Sequence, residues 1–200
     1  MEIKDTTSST IAPDSVYVFI DASNIWEAQK TKAKVFDYVK LKEYLKNKFL
    51  AGDIEFFYYT AYPGKGTRDY DLKSKHDFYT YLKKGLGFHV VKKELKRILV
   101  HEEGKDMYKE KGNMDVEITI DVIDNVRKYD VAILFTGDSD FLPLITYIKN
   151  MAKDVYVYSS ENNISQELRT GSDGYYDVLK IEEDIWGGDL KHKDQSIELK

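Results

Sequence analysis

The chain reads as an α/β protein built on a mainly parallel sheet, and three observations carry that reading. Two apolar runs, residues 16–20 (Val-Tyr-Val-Phe-Ile) and 131–135 (Val-Ala-Ile-Leu-Phe), are continuous rather than alternating. A run of that kind is buried on both faces, as central parallel strands are. Each is followed by a short polar turn and then by helical periodicity, the order of strand-to-helix units. Both runs also exit into carboxylates, Asp21 after the first and Asp138 with Asp140 after the second. Open parallel sheets bind ligands at the carboxyl ends of their strands, so these exits are where function is sought.

With 200 residues, 42% hydrophobic and 14% aromatic, the composition is that of one globular domain with a sizeable core. There is no cysteine, which excludes a disulfide scaffold, thiolate catalysis and Cys-ligated zinc or iron–sulfur sites, and fits a reducing compartment. His76, His89, His101 and His192 form no HExxH-like pair. The chain opens without an apolar leader, and no window approaches the roughly 18 apolar residues of a membrane span. The expectation is a soluble cytoplasmic protein that does not enter membranes. A net charge of −5 argues against bulk polyanion binding, although charge segregated on the surface escapes that argument.

In chain order, residues 1–15 read as a polar tail ending near Pro13, and the first strand then delivers Asp21. Asn24 is a good N-cap for a helix beginning at Ile25. From Asp37 a helix with Leu41, Tyr44, Leu45, Lys48 and Phe49 on one side runs to about Leu50, and Gly52 stops it. Residues 54–62 are the next strand; Gly64-Lys65-Gly66 after it lacks a phosphate-loop pattern and reads as plain loop. A helix over 67–84 and a strand over 88–91 follow. Residues 92–111 suggest a hairpin turning at 102–105. Lys92, Lys93, Lys96, Arg97 and Lys111 give it a basic bias, either a solvated face or a patch that neutralises nucleic-acid phosphates. Phe88 and Tyr108 are candidates for base stacking or for core.

The helix predicted over 113–128 is the most informative. At about 100° per residue, Val116, Ile118, Ile120, Val122, Ile123 and Val126 span a broad arc, and Asp115 falls near its middle. A core-facing carboxylate in a first turn needs a hydrogen bond, the helix N-terminus or a cation. Glu117, Asp121 and Asp124 fall on the other side and read as solvent-facing. After the second acidic exit, Phe141, Leu144, Ile145 and Ile148 repeat at helical spacing, with Pro143 in the first turn and Asp140 as the earliest N-cap. A strand over 155–158, a short helix over 164–169 and an edge strand over 175–179 complete the order. The expected division is a polar tail over 1–15, one domain over 16–186 and a polar tail from 187 to 200.

Asp21, Asp115 and Asp138 with Asp140 thus come from two strand ends and a helix start, and at one edge of a parallel sheet they can converge. Carboxylates without His or Cys suit hard, oxygen-seeking cations such as Mg²⁺ or Mn²⁺, kept partly hydrated. Such sites orient water, assist its deprotonation and neutralise charge on a phosphate. Unpaired acids packed together also raise one another's pKa, which a cation resolves. Capping competes as an explanation, since Asp, Ser and Gly137 are ordinary cap and turn residues. Two acids with nothing basic between them are harder to explain that way.

Three segments in order, Val-Phe-Ile-Asp21-Ala-Ser-Asn24, Lys111-Gly112-Asn-Met-Asp115-Val and Thr136-Gly137-Asp138-Ser139-Asp140-Phe141, resemble the NYN domain family of PIN-like nucleases, the LabA-like or DUF88 branch. The resemblance spans residues 16 to about 160 and leaves 63–110 without a matching motif. It implies a Rossmann-like three-layer α/β/α sandwich, a Mg²⁺ or Mn²⁺ site and RNA cleavage. By the same resemblance Asp21, Asp115, Asp138 and Asp140 are the metal-binding and catalytic acids, Asn24 and Ser139 position water or phosphate, and Thr136 supports the turn. The expected function is a metal-dependent endoribonuclease acting on nucleic acid, most simply RNA. The alternative is a noncatalytic RNA-binding or regulatory module with a vestigial site. A MIDAS-type adhesion module needs Ser where Ile25 stands, and a haloacid-dehalogenase-like phosphatase needs Asp where Ser23 stands. Sixteen tyrosines and Trp26 leave room for a homo-oligomer interface.

Overall fold

The computed structural model describes residues 13–64, 67, 72–102, 105–182 and 184–190. Strand β1 (Ser15–Asp21) is followed by α1 (Ala22–Lys32), a short β2 (Lys34–Phe36) and α2 (Tyr38–Phe49). Then come β3 (Asp53–Tyr62), α3 (Lys73–Thr80) with a π-turn at Tyr81–Gly85, and β4 (His89–Glu94). A hairpin of β5 (Lys96–Glu102) and β6 (Lys105–Lys111) leads into α4 (Asp115–Asp124) and β7 (Val131–Phe135). A 3₁₀ turn at Ser139–Phe141 opens α5 (Leu142–Asn150), and β8 (Asp154–Ser159), α6 (Gln166–Gly171), β9 (Gly174–Asp177) and β10 (Trp186–Asp189) close the chain.

Six strands form one sheet in the order β4-β3-β1-β7-β8-β9, and every pairing in it is parallel. The chain builds outward from β1 to β4, then crosses back and builds the other way from β7. Side chains on successive residues of β1 go to opposite faces, as a pleated strand requires. Val16, Val18 and Ile20 pack with Ile25, Leu41, Leu45 and Leu82 in one core, whereas Phe19 packs with Ile118, Val122, Leu144 and Ile148 in the other. Helices α1 and α2 therefore cover one face and α4, α5 and α6 the second, which makes the three-layer sandwich that the sequence implied.

Helix α2 ends where expected, with Leu50 as its cap in the left-handed conformation at φ 51°. Several other local expectations are corrected. Strand β4 runs on to Glu94, and the helix expected over 67–84 is observed only from Lys73, its earlier part falling largely outside the described residues. In α4 the apolar arc is narrower than periodicity suggested: Ile118 and Val122 are buried, while Val116 is 64% and Ile120 51% exposed. The Gly187 to Asp189 stretch, expected as the start of a polar tail, is part of β10 and pairs with β2. Trp186 explains that strand, because its fully buried indole N–H donates to the carbonyls of Val178 and Ile181 at 3.3 and 3.0 Å. The N-terminal tail up to residue 12 and the C-terminal one from 191 lie outside the described residues.

A non-glycine residue in the left-handed region is strained by its Cβ, and Leu50 is 73% exposed, so little packing is lost on removing it. Leu50→Gly is expected to stabilise the protein by about 0.5–1 kcal/mol in urea unfolding, the relieved strain being partly offset by glycine's freedom in the unfolded chain. A lower midpoint would contradict the assignment of this helix end.

Candidate functional site

The sheet reverses its direction of growth between β1 and β7, and ligands bind open α/β sheets in the crevice at that switch point. Ile20 stands opposite Phe135, so Asp21 and Thr136 leave the sheet side by side. A cleft of about 330 Å³ opens there, lined by Asp21, Ser23, Asn24, Glu27, Thr136, Gly137, Asp138 and Asn163.

Each acid is held by its own turn. Asp21 is the N-cap of α1, its Oδ1 accepting from the Ser23 amide at 2.9 Å and the Ser23 hydroxyl at 2.8 Å. Asp138 caps the 3₁₀ turn by accepting from the Asp140 amide at 3.0 Å, while its own amide donates to the Thr136 hydroxyl at 3.3 Å. The Thr136 hydroxyl thus lies within the turn that carries Asp138. Asp140, read from the sequence as the cap, is instead the donor to it, and it is exposed outside the cleft lining. Ser139 is likewise exposed and does not line the cleft; Ser23 is the serine that touches a candidate acid.

Asn24 is also reassigned. It lies inside α1, only 4% exposed, and its Oδ1 accepts from the Ser159 hydroxyl at 2.9 Å and from the Asn163 amide at 2.7 Å. Its Nδ2 is buried with no hydrogen-bond partner among the described residues. A buried donor without an acceptor is costly, so an amide N–H held at the wall of a cleft is suited to an oxygen of a ligand. Gly137 makes this wall possible. A Cβ there would overlap the Asn163 carbonyl oxygen and stand 2.8 Å from the Ser159 Oγ, so only glycine lets the β7 and β8 exits touch. Ser159, Asn163 and Glu27 were missed in the sequence; the polar run after buried β8, Ser159-Ser160-Glu161-Asn162-Asn163, was the available signal.

Asp115 begins α4 and accepts a short hydrogen bond from Asn113. Ile118 and Val122 anchor the helix in the core, and the Tyr59 hydroxyl donates to Asp121 at 2.9 Å. Glu117 takes both its oxygens to Lys93, at 2.8 and 2.9 Å. Glu117 and Asp121 are therefore fasteners of α4 rather than the free surface acids expected. Lys93, a candidate phosphate contact, is committed to Glu117, whose pKa it lowers. Of the other basic candidates, Lys92 lies 5.7 Å from the Tyr79 ring centre, Arg97 lies over Tyr108, and Lys96 stands opposite Lys111 at the base of the hairpin.

Asp115 lines a second, larger groove that shares Asp21 and Ser23 with the cleft. Burial raises the Asp115 pKa first, followed by the charges of Asp138, Asp21 and Asp140. Burial likewise raises that of Asp21, with Asp138 adding to it and the Ser23 hydrogen bonds opposing. The acids are thus within electrostatic reach of one another. Among the described residues, however, no three carboxylates or imidazoles stand close enough to make a ready ligand set. The expected four-acid cluster of Asp21, Asp115, Asp138 and Asp140 is not assembled as one unit. Asp21 and Asp138 line the cleft and Asp115 the neighbouring groove, and this donor chemistry fits a cation held by one or two carboxylates with water and substrate phosphate completing the shell, as Mg²⁺ is commonly held.

Fold and cleft together define a class, a parallel α/β protein with an acidic crevice at the switch point. Residues 15–181 match the NYN domain, and the chain belongs to that family, whose members are generally PIN-like nucleases. It is 30% identical over 170 residues to the low amplitude and bright protein LabA of Synechococcus elongatus, covering 84% of this chain and 86% of that protein. A solved structure of a protein of unknown function from Vibrio parahaemolyticus is similar with a TM-score of 0.64, 22% identity and coverage of 88% of this chain and 97% of that one. At that identity the likeness shows the fold alone. No helix among the described residues is long and apolar enough to cross a membrane.

Because Asp21 titrates higher in the folded chain than in the unfolded one, its contribution to stability is present below the unfolded pKa and lost as pH rises through the folded one. Asp21→Asn keeps an acceptor for Ser23 and removes the charge. It is expected to raise the urea midpoint of metal-free protein at about pH 7 and to leave it unchanged at about pH 3. A fall at neutral pH would show that the carboxylate is not under electrostatic stress.

Proposed function

We propose that the chain is a metal-dependent endoribonuclease that hydrolyses phosphodiester bonds at the β1/β7 crevice. The observation that carries the reading is the meeting, in one cleft, of Asp21 and Asp138 with Asn24, whose buried Nδ2 has no partner among the described residues. A bound Mg²⁺ or Mn²⁺ would supply charge neutralisation and lower the pKa of a coordinated water. Asp21 and Asp138 are the residues to hold it, with Asp115 approaching from the neighbouring groove. Ser23 and the Asp140 amide fix the two carboxylates by their Oδ1 atoms, so their orientation is set before substrate arrives. Ser159 and Asn163 occupy the Asn24 Oδ1, which leaves the Nδ2 as donor to a phosphate oxygen. Asp140 stands beside the cleft and acts on it through its charge and its amide.

Purified protein incubated with labelled single-stranded RNA, structured RNA and single-stranded DNA is expected to cleave RNA internally in Mn²⁺ or Mg²⁺ and not in EDTA. Asp138→Asn should lower the rate at least about 100-fold, the scale of losing a group that stabilises the transition state. Absence of cleavage on every substrate, with metal-independent RNA binding unchanged in Asp138→Asn, would assign the chain to the noncatalytic alternative.

A further inference from the structure

The acidic cleft continues into a groove of about 890 Å³, within the size range of small-molecule sites. Asp21 and Asp115 are the carboxylates in its lining. Its walls are aromatic, with Tyr38, Phe78 and Tyr79 on one side and Trp26 on α1. Trp26 follows Ser23 by three residues, a spacing that makes them neighbours on the helix surface. It is 49% exposed, whereas Trp186 is fully buried. A few polar groups interrupt the aromatic surface: the Thr60 and Tyr79 hydroxyls lie 3.4 Å apart, and Lys75 also lines the groove. The Lys92 ammonium lies 5.7 Å from the Tyr79 ring centre. The groove therefore combines two carboxylates, flat aromatic surfaces, a few hydroxyls and the Lys75 ammonium in one lining, with Lys92 behind the Tyr79 ring.

We propose that this groove receives an unstacked nucleobase of a single-stranded nucleic acid, with Trp26 as its stacking platform. The proposal rests on the nuclease reading of the adjoining cleft and deepens it. A nucleobase presents two apolar faces and a hydrogen-bonding edge, which matches aromatic walls carrying a few hydroxyls. A phosphate would be repelled by the two carboxylates unless a cation intervened, and it has no face to stack. With the base seated against Trp26, whose helix neighbour Ser23 holds Asp21, the attached phosphodiester lies toward Asp21, and the backbone beyond it can run toward Lys75. A base can enter only when it is free of its stacked neighbours, so the substrate class is single-stranded RNA or an unpaired loop rather than duplex.

The chain has two tryptophans, and only Trp26 reaches solvent, so its emission reports on the groove alone. Asp138→Asn protein, which spares the ligand from cleavage, is titrated in EDTA and again in Ca²⁺ with a short single-stranded RNA, the same sequence as duplex, and inorganic polyphosphate. The single strand is expected to quench Trp26 and shield it from acrylamide, and duplex and polyphosphate to do neither. Trp26→Ala should weaken binding about 5- to 100-fold and Trp26→Phe far less, as stacking predicts. The unchanged emission of Trp186 shows that each variant is folded. Binding without a change at Trp26, or equal quenching by polyphosphate or duplex, overturns the base pocket. If the wild type still cleaves RNA in that case, the nuclease reading stands without it. No binding of any ligand in either condition, together with no cleavage by the wild type, overturns both. Emission that depends on protein concentration without nucleic acid assigns the groove to a second copy of the chain and also overturns the proposal.

Discussion

Two carboxylates brought to the same edge of a parallel sheet repel each other, and the architecture around the crevice is a means of holding them there. Asp21 and Asp138 sit at the exits of adjacent strands because the sheet changes its direction of growth between β1 and β7. Burial and the Asp138 charge raise the Asp21 pKa, so the arrangement is uncomfortable for the chain alone. Each carboxylate is steadied by a capping turn instead of a basic partner. A site built that way favours an incoming positive charge, because no cationic side chain among the described residues has to be displaced from the two caps.

The second requirement is closeness. The β8 exit must approach the β7 exit until the Asn163 and Ser159 side chains reach Asn24, and Gly137 is the residue that permits it. Contacts spanning 135 and 139 residues thus fix a single amide whose second nitrogen has no acceptor among the described residues. Helix α4 is pinned with comparable care, through Tyr59 to Asp121 and Lys93 to Glu117, which sets Asp115 at the edge of the neighbouring groove. Fold and turn chemistry agree at this one place while the electrostatics oppose them, and such a local conflict is what the sequence tolerates where function requires it.

Much of this was legible before any coordinates. The uninterrupted apolar runs of β1 and β7 announced buried parallel strands, and their aspartate exits announced the edge that matters. What stayed hidden depends on partners distant in the chain. Asn24 looks like a cap because Asn caps helices; that Asp21 does the capping and Asn24 reaches β8 is decided by the sheet order. The α4 arc is narrower than its pattern, because periodicity counts Val116 and Ile120 as core when no described element covers them. Strand β10 was missed because Gly187 and Gly188 read as tail, whereas buried Trp186 and the pairing with Phe36 hold it in place. The committed state of Lys93 was likewise invisible, since Glu117 meets it only once β4 and α4 are side by side.

The central claim is that the crevice between β1 and β7 is a cation site, and anomalous diffraction from a crystal soaked in Mn²⁺ tests it most directly. The account predicts a peak bounded by the Asp21 and Asp138 carboxylates, lost in an Asp138→Asn crystal. An ordered crevice with no peak at millimolar Mn²⁺, or a peak held by other residues, would contradict it.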